Sequence, residues 1–235
     1  MKLITTDGPE EFAAVAAHYL MRKVDEKPDL TLTLPTGSTP VGLYRDLRDA
    51  RRMGDFSLDH ATVFMLDEYR DLPSYPEGSF IEFLQNNLAE VIFNDSTTVV
   101  TIDPEAPPHA YDRALDDAHG LDLAVIGVGR NGHVGFNEPG DDFSSRTHVV
   151  TLHQDTLDAN FAVVSRSDRP TQAITIGMPD LRHARSVLML VSGSEKRAVA
   201  DLLAAGIIDD RFPATHLLDH DDLTIVMASE LLRKS

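Results

Sequence analysis

The chain contains no cysteine, which leaves it no disulfide framework, no thiolate metal site and no thiol nucleophile. That absence fits a cytoplasmic home. Basic residues are few: 21 Lys and Arg stand against 38 Asp and Glu, a net charge of -17. Nucleic acid or an anionic membrane would have to approach against that field, so neither is expected as a partner. A small phosphate is a different case, because screening over about 8 Å lets a pocket of aligned N–H groups and one or two cations stay locally attractive. Long hydrophobic runs are also lacking: LDLAVIGVG and SVLMLVSG are about half as long as a membrane-spanning helix. The amino terminus, MKLITTDGPEEF, meets Asp, Gly and Pro before a run of signal-peptide length can form, which argues against a cleaved signal.

What is present is a regular alternation. Short β-rich runs at 30–34, 61–66, 97–102, 123–128, 173–176, 186–191 and 223–228 alternate with amphipathic segments near 10–23, 41–52, 79–92, 110–118 and 194–205. The runs are nearly continuous in apolar residues, which implies a sheet covered on both faces. The sequence therefore predicts an α/β fold: one domain over 1–235 with an open, mostly parallel, Rossmann-like sheet and helices on both faces. No repeat or linker divides it, and the Pro-rich PEAPP at 104–108 is long enough only for a loop. Ligands of such a sheet bind beyond the carboxyl ends of its strands.

Three of those ends, and one more nearby, carry chemistry. In LPTGSTPVGLY, Gly37, Ser38 and Thr39 follow the strand at 30–34, and Pro40 opens the next helix. Backbone N–H groups, two hydroxyls and a helix amino terminus suit a phosphate, and ordinary helix capping is the competing reading. In FMLDEY, Asp67 and Glu68 follow the next strand, one carboxylate expected to face the cleft; the alternative is a turn cap at Asp67 and a solvated Glu68. The segment AVIGVGRNGHVGFNEPGDD gathers Asn131, His133, Asn137 and Glu138 among glycines, too many polar groups for a mere connection, and is where a reaction centre is expected. His133 can both take and give protons near neutrality, with Glu138 placed to assist it. GVGRNG superficially matches a dinucleotide fingerprint, but it sits on a late strand and runs into His and Pro, so no nicotinamide cofactor is expected. Lys196, in VSGSEKRAVADLL, could reach a phosphate at the sheet edge or simply be solvated. His216 and His220 have a spacing that could put both on one helix face, but no third ligand is obvious and no metal is expected.

Together LPTGSTP, LDEY, GRNGHVGFNEPG, SSRTH and SGSEK, in this order and over nearly the whole chain, resemble the glucosamine-6-phosphate deaminase (isomerase) family. The related 6-phosphogluconolactonases share the fold and the phosphate loop but lack the GFNEPG continuation found here from Gly135 to Gly140. The resemblance implies that Asp67 moves a proton between C2 and C1 of the sugar, while His133, with Glu138 and Asn131, opens the pyranose ring. It implies that Gly37, Ser38, Thr39 and Lys196 hold the substrate phosphate, with no cofactor. The partner is then a small sugar phosphate, and a homo-oligomer is compatible with the sequence.

Two departures stand out. Many deaminases have Asp where Asn131 stands, and Asn can orient by hydrogen bonds but not ionise. Where the family often shows ANSR, with an arginine on the phosphate, this chain reads ANFA, with Ala162 at the arginine position; Arg166 and Arg169 are the candidates to replace it. A galactosamine-6-phosphate isomerase is therefore the alternative at C4, and a phosphosugar lactonase or a non-catalytic sugar-phosphate sensor are the more distant ones. The chain also ends soon after the strand at 223–228, from which no strong activation by an N-acetylated sugar phosphate is expected.

Overall fold

A computed structural model describes residues 1–153, 156–157 and 168–232. Its centre is a seven-stranded parallel sheet in the order β1-β10-β9-β6-β2-β3-β5. The strands are β1 (Lys2–Thr6), β2 (Thr31–Leu34), β3 (Thr62–Met65), β5 (Thr98–Val100), β6 (Leu123–Gly127), β9 (Ser186–Val191) and β10 (Leu223–Ala228). Every residue of β2, β9 and β10 is buried, as expected for strands covered on both faces.

Chain order and right-handed crossovers decide which helix covers which face. From β1 the chain moves across to β2, β3 and β5 through α1 (Pro9–Glu26), α2 (Val41–Met53) and α3 (Phe80–Ile92), which therefore share one face. It then reverses to β6, β9 and β10 through α4 (Pro108–Asp117), the short α5 (Met178–Arg182) and α6 (Arg197–Ala205), which cover the other. Each helix buries an apolar stripe at three- and four-residue spacing, such as Leu43, Tyr44, Leu47 and Ala50 of α2. At Gly42 a Cβ would stand 2.9 Å from Cβ of Ala13, so glycine lets α1 and α2 pack closely. The reversal between β2 and β6 is a topological switch point, where the loops after the two strands separate and leave a crevice.

The predicted fold class holds, with corrections in detail. The run at 173–176 is a strand, but β8 (Gln172–Thr175) lies outside the main sheet, in an antiparallel sheet β4-β8-β7 with β4 (Asp67–Tyr69) and β7 (His148–Thr151). β1, β4 and β7 were not foreseen. β1 is an edge strand with only two consecutive apolar residues, and β4 reads DEY; partners across the sheet, not apolar runs, make these segments extended. Pro40 is the N-cap of α2 and not its first residue. The helix expected over 194–205 opens as a 3₁₀ turn, Ser194–Lys196. His216 lies in a 3₁₀ helix, Pro213–Leu217, that ends before His220, so the two imidazoles do not share a helix face. No helix among the described residues is long and apolar enough to cross a membrane.

Candidate active site

All strands of the main sheet are parallel, so the ends of β9, β6, β2 and β3, four neighbours in the sheet, open on one edge. The loop after β2 turns through Gly37 at φ +91°, a left-handed conformation that suits glycine. The buried Tyr44 hydroxyl donates to the carbonyl of Pro35 and ties α2 to the strand end. No side chain caps α2, so the capping reading of Ser38 and Thr39 does not hold. Thr39 Oγ1 instead accepts from Lys196 Nζ at 2.9 Å, which joins the loops after β2 and β9. Lys196 is buried, not solvated, and burial holds its pKa below the usual lysine range despite the nearby Glu195. A cavity of about 460 Å³ adjoins this loop, lined by Ser38, Thr39, Gly193 and the start of α1.

After β3 the chain enters β4 and the two carboxylates part, since successive residues of a strand face opposite sides. Glu68 is fully buried: Oε1 accepts from the N–H groups of Tyr69 (2.8 Å) and Phe80 (3.1 Å), and Oε2 from Ile81 (3.0 Å). It thus caps the amino terminus of α3, and the alternative of a solvated Glu68 does not hold: the orphan N–H groups of a buried helix end need an acceptor. Asp67 is 6% exposed, and its carboxylate makes no hydrogen bond to any described residue. It pairs across the strands with Thr175, and Gly135 at φ +57° brings bare backbone against both: a Cβ there would stand 2.7 Å from Thr175 Oγ1 and 3.5 Å from Asp67 Oδ2. Burial, and secondarily the charge of Glu68, push the Asp67 carboxyl well above the usual carboxylate range.

Beyond β6, Asn131, His133 and Glu138 form one hydrogen-bonded group. Asn131 Oδ1 lies 2.8 Å from His133 Nδ1, and Asn131 Nδ2 donates to Glu138 Oε2 at 2.6 Å. Glu138 Oε1 stands 3.4 Å from His133 Nδ1. Both neighbours of Nδ1 are oxygens that accept, so Nδ1 carries the proton and Nε2 is left as the ring's acceptor nitrogen. Asn131 therefore orients the imidazole. Burial alone would raise the Glu138 pKa, but the hydrogen bond and charge of His133, with donors from Asn131 and Thr156, bring it from 4.5 down to about 2.

The loop that carries this group is fixed from below. The buried Asn137 donates to the carbonyls of Val134 (2.8 Å) and Ile176 (2.9 Å), a structural task and not a chemical one. Gly132 accepts from the Ala214 N–H at 2.8 Å. Thr156, which sequence reasoning passed over, donates to Glu138 Oε1 at 3.0 Å; an isolated threonine eighteen positions away carries no signal in sequence. His216 and His220 stand apart from the site: Nε2 of His216 is 3.1 Å from Asp210 Oδ1, and Nε2 of His220 is 2.7 Å from the Ala184 carbonyl oxygen. Among the described residues no group of three or more His, Asp or Glu could hold a metal. Ala162 and Arg166 lie outside the described residues, and Arg169 is half-buried just before β8. The larger cavity, about 710 Å³, opens at the amino ends of β9 and β10 and holds none of these residues.

A family model for glucosamine-6-phosphate isomerases and 6-phosphogluconolactonases matches residues 7–226. Glucosamine-6-phosphate deaminase of Oceanobacillus iheyensis is 34% identical over 232 residues, covering 96% of this chain and 93% of that one. The deaminase of Halalkalibacterium halodurans is 34% identical, covering 100% of this chain and 98% of the other. Among solved structures, a monomeric glucosamine-6-phosphate deaminase superposes with a TM-score of 0.90 at 32% identity over 99% of both chains. The 6-phosphogluconolactonase of Trypanosoma brucei, at 18% identity and a TM-score of 0.78, shares the fold. The chain belongs to the glucosamine-6-phosphate isomerase/6-phosphogluconolactonase family.

Proposed function

We propose that this chain is a glucosamine-6-phosphate deaminase, converting glucosamine 6-phosphate and water to fructose 6-phosphate and ammonia. The observation that carries the reading is the pairing, at one sheet edge, of a buried carboxyl without hydrogen-bond partners among the described residues, Asp67, with the imidazole–amide–carboxylate group of His133, Asn131 and Glu138. Relatives at 34% identity, covering nearly all of this chain, carry that activity in their names.

The chemistry needs two acid–base stations. The pyranose cannot enolise until O5 gains a proton and O1 loses one, a task for His133 through Nε2, with Glu138 stabilising the imidazolium form. Asp67 then takes the proton from C2 and returns it at C1, which leaves an iminium at C2. Water adds there, ammonia leaves, and the ketone remains. The raised pKa of Asp67 makes its ionised form a stronger base than an ordinary carboxylate. Gly37, Ser38, Thr39 and Lys196 serve the phosphate, whose binding energy positions the remote carbons. No step calls on a cofactor. Every residue named comes from one chain, and the solved relative at 32% identity is monomeric, so the reading asks for no second subunit. A small phosphorylated substrate and the lack of cysteine fit a cytoplasmic enzyme.

The test is ammonia and ketose phosphate release from glucosamine 6-phosphate and galactosamine 6-phosphate in parallel. Release from the first alone is expected. Release from the second alone would move the assignment to the C4 epimer, and hydrolysis of 6-phosphogluconolactone without ammonia from either sugar would move it to a lactonase.

A further inference from the structure

We infer that Thr156 is a positioning residue for the proposed ring-opening group, its hydroxyl holding the Glu138 carboxylate in the orientation that sets Oε1 against His133 Nδ1. The inference rests on the deaminase reading of the site and adds to it a residue outside the acid–base group. Glu138 is 3% exposed and receives three side-chain contacts: Asn131 Nδ2 on Oε2 at 2.6 Å, Thr156 Oγ1 on Oε1 at 3.0 Å, and His133 Nδ1 near Oε1 at 3.4 Å. The terminal torsion of a glutamate is broad, so one hydrogen bond does not fix the plane of its carboxylate. Asn131 holds one oxygen while also holding His133 Nδ1 at 2.8 Å; with Asn131 alone, the carboxylate could swing about Oε2 and leave the imidazole. Thr156 is the second point of attachment, and it comes from a different part of the chain, beyond β7.

Two features separate this role from ordinary packing. A threonine within a helical turn usually turns its hydroxyl to a carbonyl in the preceding turn, whereas that of Thr156 reaches the catalytic-loop carboxylate. Thr156 is also buried, so its hydroxyl has no ready exchange with water, and removing it leaves Oε1 one donor short in a dry site. Among the described residues, the titratable groups facing Glu138 are His133, through its ring, and Asp141, whose Oδ2 accepts the Glu138 N–H at 2.7 Å.

The experiment compares wild type with Thr156→Val, which keeps shape and loses the donor, and Thr156→Ser, which keeps the donor. Ammonia release should fall about tenfold or more in kcat for Thr156→Val with KM within about twofold, and Thr156→Ser should recover to within about threefold of wild type. The carboxyl carbon of Glu138, followed by NMR without substrate, should titrate at higher pH in Thr156→Val and at the wild-type midpoint in Thr156→Ser. If Thr156→Val does not fold, Thr156→Ala is held to the same two readouts. An active wild type with an equally active Thr156→Val and an unmoved Glu138 titration overturns the inference alone. A wild type that releases no ammonia overturns the reading of the site, and the inference with it.

Discussion

The ring of His133 lies against the backbone of Gly129: a Cβ at Gly129 would stand 2.2 Å from both Cε1 and Nε2 of the imidazole. The turn that brings them together is closed by the Gly129 N–H on the His133 carbonyl at 2.9 Å. Glycine is required there for space, since the smallest side chain would occupy the volume of the ring. Gly129→Ala should therefore displace the imidazole by about an ångström, enough to cost roughly 100-fold in kcat. The KM should change little, because the loop proposed to hold the phosphate is elsewhere. Steady-state ammonia release, with circular dichroism to confirm folding, checks this, and an alanine variant of wild-type kcat would show that the ring position is not critical.

Asp67 is expected to trade stability for function. Its folded pKa lies well above 3.8, so the carboxyl favours folding below the unfolded value and that contribution is lost as pH rises through the folded value. Asp67→Asn removes the cost of burying the charge. The variant should be inactive, since an amide cannot accept the C2 proton, yet more stable near neutrality by about 1 kcal/mol. Urea denaturation at several pH values should show the gain shrinking towards pH 4; a gain that grew on acidification would contradict the burial argument.

Much of this was legible in sequence because it is local. The apolar runs of β2, β6, β9 and β10 are strands because their own residues suit burial on both faces, and the loops after them are polar because they leave the sheet. Asp67, His133 and Glu138 could be singled out on the same ground. The fate of Glu68 could not: whether a strand-end glutamate meets water or the N–H groups of a helix twelve residues on depends on where α3 packs. Thr39 with Lys196, 157 positions apart, is the same kind of relationship, and so is β8, whose partners β4 and β7 are short and mostly not apolar.

Lys196→Met should separate binding from turnover. A buried ammonium whose pKa is lowered by desolvation is held at a cost that a phosphate anion would offset. The methionine variant should show a KM for the sugar phosphate raised about 10- to 100-fold with a much smaller change in kcat. Competitive inhibition by inorganic phosphate should weaken in parallel. A KM within twofold of wild type, roughly the scatter of such measurements, would remove Lys196 from the phosphate site.

Glu68→Gln bears on both structure and pH dependence. The amide offers one acceptor oxygen to three N–H donors and turns its own donors towards the start of α3, so the variant should lose about 1–3 kcal/mol in urea unfolding. It also removes the neighbouring charge that helps raise the Asp67 pKa. The acid limb of kcat should therefore move to lower pH, while an unchanged limb would assign it to a group other than Asp67.

Glu138 is displaced in the opposite direction from Asp67, and the contrast has a measurable sign. Its pKa falls from 4.5 to about 2, a difference worth roughly 3 kcal/mol for this nearly inaccessible side chain. A depressed carboxyl stabilises the fold above its unfolded value, and that stability is lost as pH falls through the folded value. Wild type should therefore exceed Glu138→Gln in stability near neutrality, with the gap closing between about pH 4.5 and pH 2. The gap between wild type and Asp67→Asn should change with the opposite slope and in a higher window, from about pH 3.8 up towards the raised folded value of Asp67. Two carboxyls at one sheet edge, one driven up by burial and one driven down by donors, are thereby suited to different tasks: Asp67 to accept a proton and give it back, Glu138 to stay ionised beside an imidazole that must become charged. If both variants lost stability with the same pH dependence, that division of labour would be wrong.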